Sequence, residues 1–249
     1  MALSALIFDV DGTLANTERD GHRPAFNAAF AEAGLGWYWD ETFYGTLLDV
    51  TGGRERIIHY AEKHDPATRA RPDFDAFVTR LHDLKTRNYQ RLLAAGAIPL
   101  RADIGQLICD ARTEGMRLAI ASSSKRENVV ALLCASLGPG ADRWFEVIAS
   151  GESVAAKKPA PDLYRWVLEQ LDLPAVDCLA VEDSAHGLAA SLAAGIPTVV
   201  TVSDYTTRES FPGARMVLAN TEQLSLEKLR LWHDTADEVC AVRPAPTFR

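Results

Sequence analysis

The chain has 249 residues, 47% of them hydrophobic and 24% charged, with 26 Lys and Arg against 34 Asp and Glu. That apolar share supports a packed interior and excludes both an intrinsically disordered chain and a disulfide-stapled miniprotein; the length fits one large domain or a core with an insert. The formal net charge of −8 leaves no basic stripe to displace counterions from a polyanion, so no nucleic-acid partner is expected. No segment approaches the ~20 apolar residues of a membrane helix, so a cytoplasmic chain with no membrane partner is expected.

In chain order, the first predicted element is Ala5 to Val10, a nearly continuous apolar run that suits a strand buried on both faces of a parallel sheet. From about Thr17 to Gly96 the periodicity is helical throughout: Arg23 to Ala33, Glu41 to Val50, Arg54 to His64 and Phe74 to Ala95. Within it, Trp37-Tyr38-Trp39 reads as packed core rather than as a platform for a sugar. Further buried-strand runs follow at Arg117 to Ser122, Phe145 to Ala149, Cys178 to Val181 and Thr198 to Val202. Between them lie helical patterns at Glu127 to Leu137, Asp162 to Leu171 and Ala185 to Ala194, the last stopped by Gly195 as a C′ glycine. Strand and helix alternating in this way predict a doubly wound α/β sheet with its site at the carboxyl ends of the strands. The tail from Arg243 to Arg249 reads as a poorly ordered terminus. Cys109, Cys134, Cys178 and Cys240 show no metal or redox spacing and read as buried free thiols.

Several strand ends carry polar groups. Asp9-Val10-Asp11-Gly12-Thr13 places two carboxylates two residues apart where the first strand breaks; taken alone, the motif also fits a strand-end turn with a capping aspartate. The second strand ends at Ser122-Ser123-Ser124-Lys125, hydroxyls and amides at a helix start that suit an anion, with Ser123 read as the N-cap. Lys157-Lys158-Pro159 supplies positive charge in a rigid loop, or is simply a solvated turn. Glu182-Asp183 follows the fourth strand, where paired acids are costly without a compensating cation. Four carboxyl groups converging on one sheet edge favour a hard cation with oxygen ligands, Mg²⁺. A phosphoryl group could then bridge that ion and the donors at Ser122 and Lys158, with one aspartate as nucleophile and its partner as general acid and base.

These four segments, in this order, resemble the four motifs of the haloacid dehalogenase (HAD) superfamily of phosphotransferases. The resemblance implies a doubly wound Rossmann-like parallel sheet, the HAD-like core, over residues 1–16 and 97–249, with an inserted all-helical cap over residues 17–96. Through Thr17 to Arg23, Thr51-Gly52-Gly53-Arg54-Glu55-Arg56 and Ala97 to Arg101 the chain is similar to the CbbY-like sugar-phosphate phosphatases, which implies hydrolysis of xylulose 1,5-bisphosphate. Carried onto this sequence, the resemblance makes Asp9 the nucleophile, Asp11 the general acid and base, and Ser122 and Lys158 the phosphoryl-binding groups. It places Mg²⁺ on Asp9, the Asp11 carbonyl, Glu182 and Asp183. Substrate binding falls to Glu18, His22, Thr51, Gly52, Gly53, Arg54 and Arg56, with Ser124 and Lys125. His22 on a helix surface and Arg56 paired with a neighbouring acid are the alternatives. Two positions depart from the family pattern: Arg54 replaces a lysine, and Ala102-Asp103-Ile104 replaces Pro-Gly-Val at the return from the cap. The expected partner is a small phosphorylated sugar, acted on by a monomer. A β-phosphoglucomutase-like enzyme and a non-catalytic phosphosugar-binding module are the rival readings.

Overall fold

The computed structural model describes residues 2–50 and 52–234. Its first strand, β1 (Ala5–Phe8), is buried at every position, as an apolar run without alternation requires. The apolar run continues to Val10 but the strand does not. The Val10 carbonyl instead accepts the amide hydrogens of Thr13, Leu14 and Ala15, closing a tight turn that carries Asp11 and Gly12.

Thr17–Ile98 forms one compact unit and the described residues on either side of it form the other. Thr17–Ile98 opens with a π-helical turn, Glu18–His22, which runs directly into α1 (Arg23–Glu32). The unit continues with α2 (Glu41–Leu47), α3 (Gly53–His64), α4 (Pro66–Arg69) and α5 (Phe74–Ala94). Asp40 caps α2 by accepting the Phe43 amide at 2.7 Å, the usual means of satisfying a free donor at a helix start. Phe26, Phe30, Trp39 and Tyr44 pack as an aromatic core. Trp37 and Trp39 are buried as expected. Tyr38 is 68% exposed, because three successive residues of a non-helical segment cannot all face inward.

The second unit resumes at Pro99. It contains α6 (Ile104–Thr113), β2 (Arg117–Ala121), α7 (Arg126–Leu137), β3 (Val147–Ala149), α8 (Asp162–Leu171) and β4 (Cys178–Glu182). It ends with α9 (Ala185–Ala193), β5 (Thr198–Thr201), β6 (Met216–Leu218) and α10 (Leu226–Asp234). The sheet is wholly parallel with strand order β3-β2-β1-β4-β5-β6, so the doubly wound α/β fold is the observed one. The chain runs outward from β1 to β3, then crosses back to pair β4 with the other side of β1. That reversal is a topological switch point, where such sheets open a crevice at the carboxyl ends of their strands.

Asp103 takes a left-handed conformation with φ of 60°, one that a glycine adopts without strain. The change from Pro-Gly-Val to Ala102-Asp103-Ile104 is therefore a change of residue on a glycine-type turn. Ser123 is not an N-cap: it is exposed, and Lys125 occupies the cap position of α7. The cysteines also divide differently from the expectation, since Cys178 is buried, Cys134 is half-buried and Cys109 lies exposed on α6. The tail from Arg243 to Arg249 and Cys240 lie outside the described residues. No described helix is long and apolar enough to cross a membrane.

Candidate active site

The carboxyl ends of β1, β2 and β4 bring Asp9, Asp11, Ser122, Ser124, Glu182 and Asp183 to one edge of the sheet, and the loop before α8 adds Lys158. Asp9 is placed by continued pairing, its amide donating to the Val181 carbonyl at 3.0 Å, and the Ser122 amide does the same to Ala149 at 3.1 Å. The Lys158 ammonium donates to Asp9 Oδ1 and to Glu182 Oε1, both at 2.6 Å, and all three side chains are buried. Asp11 turns the other way. Its Oδ2 accepts from Ser124 Oγ at 2.7 Å and from Ser122 Oγ at 3.5 Å, and Ser122 Oγ also accepts the Ser124 amide at 3.0 Å.

Two carboxylates two residues apart thus have different partners: Asp9 faces an ammonium, Asp11 faces hydroxyls. Burial raises the Asp9 carboxyl to about 7, with the Glu182 and Asp11 charges adding to the rise against the pull of Lys158. Burial and the charges of Asp9 and Glu182 push Asp183 well above the usual carboxylate range, against a hydrogen bond from Ser203 and the charge of Arg101. Burial alone would lower the Lys158 ammonium, but Asp9 and Glu182 outweigh it and hold the group charged.

Carboxylate oxygens of Asp9, Glu182 and Asp183 lie within 4.8 Å of one another, the one such group among the described residues. Three buried acids and one ammonium leave an excess of negative charge, and the donor set is all oxygen, so the cluster suits a hard divalent cation. Glycines give the cluster its space: a Cβ on Gly12 would overlap the Asp183 carboxylate, and one on Gly187 would overlap that of Glu182.

Tyr164 escapes the sequence reading because it occupies an ordinary apolar position on α8. It is fully buried, its hydroxyl donates to Glu182 Oε1 at 2.6 Å, and its ring lies 5.1 Å from the Lys158 nitrogen. The signal available in sequence is general: a tyrosine on the inner face of a helix needs a partner for its hydroxyl. Lys125, a predicted substrate residue, is exposed at the start of α7.

The predicted substrate residues of the helical unit fall into three groups. Glu18 Oε2 accepts the Tyr44 hydroxyl at 2.5 Å, and Arg56 reaches both Tyr44 at 3.0 Å and Glu18 at 3.5 Å while donating to the Val50 carbonyl at 3.0 Å. Arg56 is therefore paired with an acid. His22 stacks on Tyr89 with ring centroids 4.0 Å apart, and its Nδ1 lies 2.7 Å from the Lys85 ammonium. Arg54 stands apart, 40% exposed, with Asp75 at 3.5 Å. Gly52 and Gly53 open α3; Gly52 has a φ of 102°, and a Cβ on Gly53 would press on Phe26 and His82. Thr51 lies outside the described residues. Tyr44, Lys85 and Tyr89 join these groups without any motif to mark them.

The haloacid dehalogenase-like hydrolase family model matches residues 3–195, and with the parallel sheet and its acidic switch point the chain belongs to that family, as a phosphatase. Protein CbbY, plasmid, of Cupriavidus necator is 49% identical over 216 residues, covering 87% of this chain and 85% of the relative. CbbY from Rhodobacter sphaeroides in complex with phosphate matches with a TM-score of 0.76 at 43% identity, over 91% of this chain and 99% of that one. A variant of the same protein in complex with xylulose-(1,5)bisphosphate matches with a TM-score of 0.76 at 42% identity, with the same shares covered. Within the family the chain is a CbbY-like member.

Proposed function

We propose that the chain is a Mg²⁺-dependent sugar-phosphate phosphatase that works through an aspartyl phosphate and takes xylulose 1,5-bisphosphate or a closely related sugar bisphosphate. The observation that carries this reading is the division of labour between Asp9 and Asp11. The Lys158 ammonium holds Asp9 Oδ1, which leaves the other carboxylate oxygen to attack phosphorus as the bond to the sugar oxygen breaks. Asp11, held by the Ser122 and Ser124 hydroxyls, protonates the departing sugar oxygen. It then takes a proton from the water that attacks the aspartyl phosphate, releasing inorganic phosphate and restoring Asp9. Ser122 and Lys158 bind the equatorial oxygens of the transferring group, where charge must be stabilised.

Asp9, Glu182, Asp183 and the Asp11 carbonyl are the groups to hold Mg²⁺, which when bound offsets their charge and that of the phosphoryl group. Glu182 has a second duty, since its Oε1 already serves Lys158 and Tyr164. Substrate recognition falls to Glu18, His22, Gly52, Gly53, Arg54 and Arg56 of the helical unit, with Thr51, Ser124 and Lys125. Arg54 is the guanidinium best suited to a second phosphate, because its acid partner is exposed Asp75 while Arg56 is committed to Glu18, Tyr44 and Val50.

A phosphate-release screen over sugar mono- and bisphosphates, with product isomers followed, tests the reading. Release from xylulose 1,5-bisphosphate is expected, with Arg54→Ala raising KM about tenfold for a bisphosphate and leaving a monophosphate unchanged. Isomerised glucose phosphate without net release would instead mean the mutase.

Metal binding carries its own pH signature. The folded Asp9 and Asp183 carboxyls are raised above their ordinary values, so between pH 4 and about 7 the native state binds more protons than the unfolded chain. Without metal, stability therefore falls as pH rises through that range. A cation that binds the ionised acids reverses the penalty, so Mg²⁺ should raise the melting temperature more at pH 8 than at pH 5. Equal shifts in thermal melts at the two pH values would remove the acidic cluster from the metal role.

A further inference from the structure

Arg101 belongs to none of the four acidic or basic motifs, yet its contacts lie on the two segments that flank the end of β4. Its Nη1 donates to the Gly12 carbonyl, to the Thr201 carbonyl at 3.0 Å and to Thr201 Oγ1 at 3.2 Å, and its Nη2 donates to the Val202 carbonyl at 2.6 Å. Its backbone amide donates to the Leu14 carbonyl at 2.8 Å, so the residue grips the turn after β1 at two points.

The strand order gives these contacts their meaning. β4 lies between β1 and β5, so one guanidinium that holds both the turn after β1 and the end of β5 must span the end of β4. That is where Glu182-Asp183 leaves the sheet. The first clamped segment bears directly on Asp183, since Gly12 lies so close that a Cβ would overlap its carboxylate; the second continues from Val202 into buried Ser203. Ser203 is itself fixed, its amide donating to Thr206 Oγ1 at 2.9 Å.

We infer that Arg101 is a positioning residue that staples the turn after β1 to the end of β5 and so holds Asp183 ready to ligate the metal. Five donors in a planar fork can serve carbonyls of two segments at once, which an ammonium on a flexible stem does not do. Partners of metal ligands that lie one contact further out commonly set affinity by 10–100-fold. The inference rests on the acidic cluster binding Mg²⁺, as proposed above.

The test is a Mg²⁺ titration of metal-free protein, followed by melting temperature and without substrate, on the native chain, Arg101→Lys and Arg101→Gln. Both variants are expected to need at least about tenfold more Mg²⁺ for the half-maximal shift. In turnover assays, saturating Mg²⁺ should recover most of kcat with KM for the phosphate ester little changed. A folded variant with a Mg²⁺ midpoint within twofold of the native one overturns the assignment, as does full rescue by lysine, which would reduce Arg101 to a charge. A native chain that shows no Mg²⁺ response instead overturns the metal reading, and the inference with it. A second measurement needs no variant: in the native chain Mg²⁺ should slow amide hydrogen exchange in both segments 10–15 and 201–204. Protection confined to the first would also overturn the staple.

Discussion

Asp9→Asn is expected to lower phosphate release about 10⁴-fold or more, the scale on which removal of an attacking group acts when the rest of the site is intact. The amide keeps the shape of the side chain and can still pack beside Lys158, but it has no anionic oxygen to form the bond to phosphorus. The same change also has a sign in stability. The native carboxyl is held up to about 7 by burial, so at pH 8 it is ionised against a mounting cost. Asparagine removes that cost, and metal-free Asp9→Asn should therefore melt no lower than the native chain at pH 8. Phosphate release together with a thermal melt checks both halves. Unchanged turnover would take Asp9 out of the chemistry, and a large loss of melting temperature would mean that its charge supports the fold.

Lys158→Met is the converse. It leaves Asp9 and Glu182 buried without the ammonium that both contact at 2.6 Å. Removing one partner of such a group costs about 3–5 kcal/mol, because the remaining charges stay desolvated. The loss should depend on pH in a definite direction. Without Lys158 the Asp9 carboxyl rises further still, so the variant suffers most above pH 7 and recovers toward the native chain as pH falls to 5 and the acid takes up a proton. Loss of a phosphoryl-binding cation should also cost about 10²–10³-fold in kcat. Melts at pH 5 and pH 8 separate the two origins, since a deficit equal at both would reflect lost packing of the lysine stem and not lost charge.

What could be read in advance follows from how each residue is held. Strands buried on both faces must be apolar throughout, so β1, β2, β4 and β5 stand out as runs. A carboxylate at the end of such a run is conspicuous because it interrupts a region where charge is costly. β6 has no such mark: it is three residues long with Met216 and Val217 only half-buried, and an edge strand needs no inner and outer apolar faces. α6 carries good helical spacing in Ile104, Leu107, Ile108 and Ala111, but begins beyond the stretch of continuous helical periodicity and after a left-handed aspartate.

In the site, the groups that show in the sequence are those whose chemistry is fixed by residue type and a strand end. Those that do not are defined by a partner far away in the chain: Tyr164 by Glu182, Tyr44 by Glu18, Arg101 by Gly12, Thr201 and Val202. Arg101 ends the matched segment Ala97 to Arg101, but the match gives it no role. Only the order of the strands shows that it reaches past the end of β4.

The pairing of Ala5 with Cys178 joins two segments that lie far apart in the chain. Glu182 and Asp183 reach Asp9 only through the pairing of β4 with β1, which closes a loop that contains most of the protein. The neutralising lysine comes from the segment just ahead of that strand and arrives with it. The acids and their ammonium therefore come together only where β4 is paired with β1, so the cluster is a property of the assembled sheet and of no single segment of the chain.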